Sequence, residues 1–346
     1  MTRVPASPSA ARPWWHPDAL AERLPHLHTR ARVIADLRRF FAERDFLEVE
    51  TPCLQTAPGM ETHLQAFATD LTDPFGGPSR RLYLHTSPEF AMKKLLAGGL
   101  PRIFQLARVW RNGERSPTHN PEFTMLEWYR AGAGLADLMD DCDAILALTG
   151  VAAEPAERLS VNEAFRRWAG FDLLATVDDP DSPDPDPRPL QAEAVRLGHD
   201  ARPGERWEDV FFRLMFAHID PNLGMDGRAT ILHSWPACMA ALARRDPADP
   251  RVAERFEIYK DGVELANAFA ELTDPAEQRR RYEHDMALKE RLYGERWPVD
   301  EDFLAALEFG LPDSAGIALG LDRLVMLAAG VREIDQVLWA PVCPQP

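Results

Sequence analysis

The alternation of apolar and polar residues is clearest between Arg102 and Arg130. Apolar residues recur with a period of two on either side of a polar segment, which predicts two strands. The segment between them, NGERSPTHNP, is rich in turn-forming residues and too long for a tight turn. We therefore predict an antiparallel hairpin with a ten-residue loop, and such loops commonly bind ligands.

The inner faces of this hairpin carry side chains that suit a bound nucleotide. Arg111 follows the first strand, and Phe123 stands where the loop ends. Glu127 and Tyr129 lie further along the second strand. A guanidinium can grip a phosphate, an aromatic ring can stack on a base, and a carboxylate can receive an amine. The pattern favours a site for a nucleoside triphosphate beside an amine, with a half-exposed hairpin bearing charged edges as the alternative.

A helical period appears before the hairpin, in HTRARVIADLRRFFAERDF. Its apolar residues recur every three or four positions and predict an amphipathic helix. The following FLEVETPCL is interpreted as a short strand that ends at Pro52, because proline removes a donor from a strand ladder. We interpret the basic residues of the helix as its solvated face, with partner docking as the alternative; they are Arg30, Arg32, Arg38 and Arg39.

A strand-to-helix junction is predicted in LYLHTSPEFAMKKLLAGG. Ser87 is the expected N-cap and Pro88 the first helical residue. Gly98 or Gly99 is expected to end the helix. Glu89 then lies in the first helical turn, where it either complements the helix dipole or receives a substrate ammonium.

Acidic residues interrupt an otherwise apolar pair of strands in RFEIYKDGVELANAFAELTD. KDG predicts the turn, and Glu264, Asn267 and Glu271 follow among small apolar residues. Buried polar groups need partners, and magnesium together with a ligand amine would supply them. A regular strand would point Glu264 and Glu271 to opposite faces, so this interpretation requires a bulge between them. A lattice of structural hydrogen bonds is the alternative.

A last strand and helix are predicted in GLPDSAGIALGLDRLVMLAAG, where Gly316 and Gly320 bracket the strand. Arg323 falls in the first turn of the helix. A cation is unfavourable at that end of a helix unless an anion compensates it. We therefore predict that Arg323 contacts a phosphate.

Composition and charge narrow the class of protein. The chain of 346 residues is 45% hydrophobic and 27% charged, as in ordinary globular proteins. It has neither an apolar run of ~18 residues nor the pattern of a signal peptide, so we expect a cytoplasmic protein without a membrane span. Its net charge of −16 disfavours an extended nucleic-acid surface, and its four scattered cysteines predict reduced thiols.

Two segments are predicted to lack a core of their own. The proline-containing residues 1–18 are expected to form a flexible arm, followed by one domain at residues 19–346. The segment at residues 176–191 is rich in proline and aspartate, which predicts an exposed loop. We assign no chemistry to that loop.

Several of these segments match the motifs of a known family. The chain resembles the catalytic domain of class II aminoacyl-tRNA synthetases, with FLEVETP similar to the first motif, RVWRNGERSPTHNPEFTMLEWY to the second and AGIALGLDRLVML to the third. Within that class it is most similar to lysyl-tRNA synthetases, through TSPE, HNPEFTMLEWY, ELANAFAELTD and GLDRLVML. The matches span residues 30–330 in family order. The resemblance implies an α+β fold, a mainly antiparallel β-sheet flanked by helices, and a homodimer formed through the segment from Arg30 to Pro52.

The resemblance also implies roles for individual residues, with ATP and Mg²⁺ as the required small molecules. Arg111 and Arg323 would hold the triphosphate and act in catalysis, and Phe123 would stack on adenine. The positions that match ATP contacts are Arg111, Asn112, Glu114, Asn120, Phe123, Glu264, Leu265, Gly320 and Arg323. The positions that match contacts to a lysine-like substrate are Ser87, Pro88, Glu89, Tyr129, Glu271 and Ala318. Glu89 and Glu271 would be counter-charges for its amines, and Glu264 and Glu271 match magnesium ligands.

Two features distinguish the chain from lysyl-tRNA synthetases. The helix of the first motif begins near residue 29, which predicts that the anticodon-binding barrel is absent, and Ala318 replaces a glycine. In both respects the chain is similar to the elongation factor P–lysine ligases, which use adenylate chemistry to attach a lysine, preferably (R)-β-lysine, to a lysine of that translation factor. The resemblance implies such a ligase, with elongation factor P as its acceptor and tRNA as an unfavoured partner.

The alternatives are a shortened enzyme that charges tRNA or forms a free amide, and a catalytically silent regulator. A catalytically silent regulator is disfavoured because the sequence keeps both arginines, Arg111 and Arg323, and both glutamates, Glu264 and Glu271.

Two departures from the synthetase pattern affect the site. Gly113 precedes Glu114 where the synthetases have the glutamate first, which predicts an adenine contact shifted by one residue. Ala268 replaces a glycine, which predicts a narrower pocket or a displaced strand.

Overall fold

The computed structural model describes residues 12–240 and 242–342. Within them the strands are β1 (Leu47–Glu48), β2 (Leu54–Gln55), β3 (Phe67–Leu71), β4 (Arg80–Leu84), β5 (Arg102–Trp110), β6 (Glu122–Ala131), β7 (Glu157–Ser160), β8 (Thr230–Pro236), β9 (Val252–Lys260), β10 (Val263–Ala270) and β11 (Ser314–Gly320). The α-helices are α1 (Pro17–Ala42), α2 (Glu89–Ala97), α3 (Leu135–Thr149), α4 (Val161–Trp168), α5 (Arg188–Arg196), α6 (Trp207–Leu214), α7 (Pro275–Tyr293), α8 (Glu301–Gly310) and α9 (Leu321–Ala328). Most of the predicted arm, residues 1–11, lies outside the described residues.

A large sheet has the strand order β1-β5-β6-β11-β10-β9-β8-β7. Its six central strands, β5-β6-β11-β10-β9-β8, pair antiparallel with one another in that order. At the two edges, β1 pairs parallel with β5 and β7 pairs parallel with β8. A smaller sheet has the order β2-β4-β3. The predicted α+β class, with a mainly antiparallel sheet and flanking helices, is confirmed.

The two faces of the central strands differ because side chains alternate along a strand. Leu126 and Trp128 of β6 and Ile317 of β11 lie in the main hydrophobic core, which α1, α3 and α9 cover. Glu127 and Ala318, which are partners in the β6–β11 register, point to the opposite face. The sheet therefore presents an apolar side to the core and a mixed side to a cleft.

The predicted hairpin is confirmed. β5 and β6 pair antiparallel from Arg102 opposite Arg130 to Trp110 opposite Glu122. The connection spans residues 111–121, one residue more than predicted. A bulge was also required between Glu264 and Glu271, and the β9–β10 register does shift between Glu264 and Ala266.

Five predictions about local structure were wrong. α1 begins at Pro17 rather than near residue 29, within the predicted arm, and α5 begins at Arg188, within the predicted loop of residues 176–191. The strand after α1 ends at Glu48 rather than Pro52, because the chain then leaves the large sheet and pairs with β4 in the small one. The N-cap of α2 is Pro88 rather than Ser87, although Ser87 Oγ still accepts a hydrogen bond from the Glu89 amide at 3.0 Å. Arg30 is buried rather than solvated, because helical spacing places it on the inner stripe of α1.

Arg30 joins the three motif segments. Its Nη1 forms an ion pair with Asp322 in the first turn of α9, and its Nη2 donates to Thr124 Oγ1 on β6 at 3.0 Å. The Thr124 amide donates to Asp322 Oδ2 at 2.9 Å. The first-motif helix is thus tied to the strand and the helix that carry the site.

No helix in the described part of the chain is long and apolar enough to cross a membrane. Cys53, Cys142 and Cys238 are free thiols, and Cys343 lies outside the described residues.

Candidate active site

A cavity of about 920 Å³ opens on the mixed side of the central strands. The predicted site residues that line it are Ser87, Glu89, Arg111, Glu114, Asn120, Phe123, Glu264, Leu265, Ala318, Gly320 and Arg323. The four that do not reach its wall are Pro88, Asn112, Tyr129 and Glu271. One cavity therefore brings together both arginines and the acidic side chains, as an ATP and amino-acid site requires.

Arg111 has the surroundings of a side chain that binds an anion. Its guanidinium carbon lies 5.3 Å from the centre of the Phe123 ring. Its Nε is buried and has no hydrogen-bond partner within residues 12–240 and 242–342. A buried donor without a partner is costly, and a phosphate oxygen would remove that cost.

Arg323 is instead held firmly by its neighbours. Its Nη1 donates to the Glu264 carbonyl at 2.8 Å, and its Nε donates to the Thr118 carbonyl at 3.3 Å. Its Nη2 also contacts His119 Nε2. Burial and the charge of Arg323 lower the pKa of His119 to about 4, so the imidazole is neutral and can accept a hydrogen bond from the guanidinium.

The loop that carries Arg111 is braced by two asparagines. Asn120 Nδ2 donates to Asp335 Oδ1 at 3.2 Å, and its Oδ1 accepts from Arg115 Nη1 at 2.9 Å. The backbone N–H of Asn112 donates to the Gln65 carbonyl at 2.8 Å. These bonds fix the loop, in which the Asn112 side chain is not part of the cavity wall.

Behind the amine end of the cavity lies Glu127, the carboxylate that the hairpin pattern predicted beside an amine. Glu127 is fully buried and accepts hydrogen bonds from Ser87 Oγ at 2.6 Å and from Tyr129 Oη at 2.9 Å. Burial, together with the nearby charge of Glu89, raises the pKa of Glu127 to about 8. Ser87, which lines the cavity, and Tyr129, which does not, thus share one buried carboxyl group behind its wall.

Lys93 was missed, although its position four residues after Glu89 on a helix was a usable signal. Its buried Nζ lies 2.5 Å from Glu89 Oε1 and 2.5 Å from Glu271 Oε2. Burial alone would lower the pKa of Lys93, but the two carboxylates outweigh burial and raise it. Burial raises the pKa of Glu271 to about 7 although Lys93 opposes this.

Glu61 is an acidic residue of the cavity wall that the sequence did not reveal, because it lies in a loop without a periodic pattern. Its Oε2 accepts a hydrogen bond from the Met60 amide at 3.1 Å. Burial raises the pKa of Glu61 although Arg111 opposes this. A Cβ atom at Gly59 would stand 2.3 Å from Glu61 Oε2, so this position requires glycine while Glu61 keeps its place.

The residues expected to bind magnesium fit only in part. Glu264 lines the cavity beside Arg323 and is half exposed, so it can reach an ion bound to phosphate oxygens. Glu271 is buried against the ammonium of Lys93, which disfavours a second cation there. The described residues contain no cluster of three His, Cys, Asp or Glu side chains that could hold a metal ion alone.

The proline- and aspartate-rich segment has a place in the site that we did not predict. Asp181, Ser182 and Pro183 line the cavity. Asp181 forms an ion pair with Arg245, which also lines the cavity. The segment is therefore part of the cavity wall rather than a loop remote from the chemistry.

Comparison with known proteins agrees with this geometry. Residues 21–343 match the family described as tRNA synthetases class II (D, K and N). The chain is 43% identical to the elongation factor P–(R)-β-lysine ligase of Klebsiella pneumoniae (strain 342), over 94% of this chain and 96% of the relative. It is 43% identical to the proteins of the same name from Histophilus somni (strain 2336) and Vibrio cholerae, over 94% of this chain and 96% and 97% of those relatives.

Proposed function

Because the chain belongs to the class II tRNA synthetase family, we propose that it activates lysine or (R)-β-lysine with ATP and transfers it to a lysine side chain of elongation factor P. The names of the relatives support the acceptor and the β-amino acid. The observation that carries the proposal is the buried Nε of Arg111, which has no hydrogen-bond partner in the described part of the chain and lies in the same cavity as Arg323 and Glu89. This is an anion site beside an amine site.

In the first step the substrate carboxylate attacks the α-phosphorus of ATP, which gives an aminoacyl-adenylate and releases pyrophosphate. Arg111 and Arg323 bind the phosphates and stabilise the charge that develops on them, while Phe123 stacks on adenine. Magnesium, held by the phosphates and Glu264, would neutralise further charge. Glu89 receives an ammonium of the amino acid, with Glu127 and Glu271 beside it.

In the second step the ε-amine of the acceptor lysine attacks the carbonyl of the adenylate. An amide bond forms, the bond between the carbonyl carbon and the phosphate oxygen breaks, and AMP leaves. The ammonium of the acceptor must lose one proton to solvent before the attack, and the nitrogen loses a second proton as the amide forms. No covalent intermediate with the enzyme is needed.

The test has two parts. ATP–pyrophosphate exchange is measured with lysine and with (R)-β-lysine, and absence of exchange with both would favour a silent regulator. Elongation factor P and lysine tRNA are then offered in parallel, and the products are weighed by mass spectrometry. We expect the protein to gain the mass of the amino acid; labelled tRNA with unmodified protein would contradict the proposal and favour the shortened synthetase.

The raised pKa of Glu127 predicts a pH dependence. Below about pH 8 this carboxyl is largely protonated in the free enzyme, and a neutral carboxyl attracts a substrate ammonium less than a carboxylate does. The KM for the diamino acid should therefore fall as the pH rises towards 8, by up to about tenfold per pH unit. Steady-state exchange kinetics across this range measure it.

Glu127→Gln is the matched control for this pH dependence, because glutamine keeps the shape but cannot ionise. Its KM should be high and should change little with pH. A wild-type KM that is constant over the same range, or a glutamine variant with the wild-type profile, would contradict the assignment.

We also propose a homodimer through the outer side of the segment from Arg30 to Pro52. The inner face of α1 packs in the chain's own core, so it is not available to a partner. Leu47 and Leu54, at 54% and 44% exposure, are large apolar side chains on or beside this segment. Light scattering after size exclusion tests the proposal, and a monomer at micromolar concentration would contradict it.

A further inference from the structure

A lysine side chain, Lys93, lies behind the amine end of the cavity. The Nζ of Lys93 lies 2.5 Å from a carboxylate oxygen of Glu89 and 2.5 Å from one of Glu271. Its side chain is 2% exposed. A lysine is almost never buried without partners, so the two carboxylates account for its position.

The two carboxylates come from different parts of the fold. Glu89 begins α2 and lines the cavity, whereas Glu271 follows β10 and lies behind the wall. The Glu89 side chain bonds with no other residue in the described ranges than Lys93. Lys93 is thus the link that fixes Glu89 relative to the sheet.

The charges of the cluster favour a substrate that carries an ammonium group. Glu89, Glu127 and Glu271 are three carboxyl groups, and Lys93 supplies one positive charge among them. Of the three, Glu89 lines the cavity, so its carboxylate is the group that can meet an ammonium of lysine or β-lysine.

We propose that Lys93 is a positioning residue for the amino acid: it clamps Glu89 to Glu271 so that the free oxygen of Glu89 meets the substrate ammonium in the cavity. Lys93 does not touch the substrate in this arrangement. It acts through the two carboxylates, which without it would repel each other and separate. This inference rests on the proposed function, since it assumes a diamino acid as substrate.

The test compares Lys93→Met, Lys93→Gln and Lys93→Arg in ATP–pyrophosphate exchange. We expect the methionine and glutamine variants to raise the KM for the diamino acid at least about tenfold while the KM for ATP stays within about twofold. The arginine variant should recover part of the loss because it keeps the charge. Lys94→Met is the matched control, because Lys94 is the next residue on the same helix and pairs with Asp300 and Asp302 instead, at 3.2 and 3.0 Å.

A double-mutant cycle separates positioning from a general effect on folding. If Lys93 acts through Glu89, Lys93→Gln combined with Glu89→Gln should be little worse than the poorer single variant. Effects that multiply, or an unchanged KM in Lys93→Gln, would overturn the proposal. Should the methionine variant fail to fold, the glutamine and arginine variants still decide the question.

The failure of this inference can be distinguished from failure of the proposed function. A wild-type enzyme without exchange on either diamino acid contradicts the function. The role of Lys93 is then judged by the rise in melting temperature that added lysine produces, which should be present in the wild type and reduced in Lys93→Gln. An equal rise in both would overturn the role of Lys93 alone.

Discussion

Arg111→Ala is expected to lower kcat for adenylate formation by about 10²–10³-fold, the usual effect of removing one group that stabilises transition-state charge. The guanidinium lies against Phe123, and its buried Nε has no hydrogen-bond partner within residues 12–240 and 242–342, so its removal leaves no partner of that atom unsatisfied there. Stability should therefore change little. Pre-steady-state measurement of pyrophosphate release, together with the melting temperature, separates the two effects.

Arg108→Ala provides the control for Arg111. Arg108 lies on the same hairpin but is exposed and does not line the cavity. Its kcat should stay within about twofold of the wild type. If Arg111→Ala kept its activity within about tenfold of the wild type, Arg111 would not be a phosphate ligand in the reaction.

Arg30→Ala is expected to destabilise the protein by about 3–5 kcal/mol, because it leaves the charge of Asp322 buried and uncompensated. It also removes the hydrogen bond to Thr124. Because Asp322 precedes Arg323, activity should fall at temperatures where the fold is still intact. Urea unfolding followed by circular dichroism measures the loss.

Arg39→Ala tests whether any arginine of α1 would have this effect. Arg39 pairs with Asp36 three residues away, and its side chain is 61% exposed. An exposed pair contributes at most about 1 kcal/mol, so this variant should resemble the wild type. Equal unfolding midpoints for Arg30→Ala and the wild type would show that the buried pair is not needed.

The sequence predicted the parts of the fold that follow from periodicity. The alternation on β5 and β6 defined the hairpin, and the odd spacing between Glu264 and Glu271 required the bulge that the structure contains. These predictions succeeded because side-chain direction follows from position in a strand. The prediction for Arg30 failed because this residue was interpreted by its charge, as solvated. Its position on the inner stripe of α1 would have predicted burial.

Site residues could be predicted where they stand in a segment that resembles a family motif. They could not be predicted where their role depends on neighbours that are distant in sequence. Lys93, on α2, becomes part of the site only because Glu271, which follows β10, meets it there. Glu61 depends on a loop conformation that Gly59 permits. Neither relation is encoded by local spacing, so only the folded chain reveals them.

The ion pair of Asp181 with Arg245 holds the segment around Asp181 only weakly. The Asp181 side chain is 84% exposed in this pair, and such a pair is worth at most about 1 kcal/mol. Added salt would screen the two charges and weaken the pair further. A contact of that strength opens without any unfolding of the enzyme, so this pair alone does not keep a side chain of a protein acceptor from the cavity.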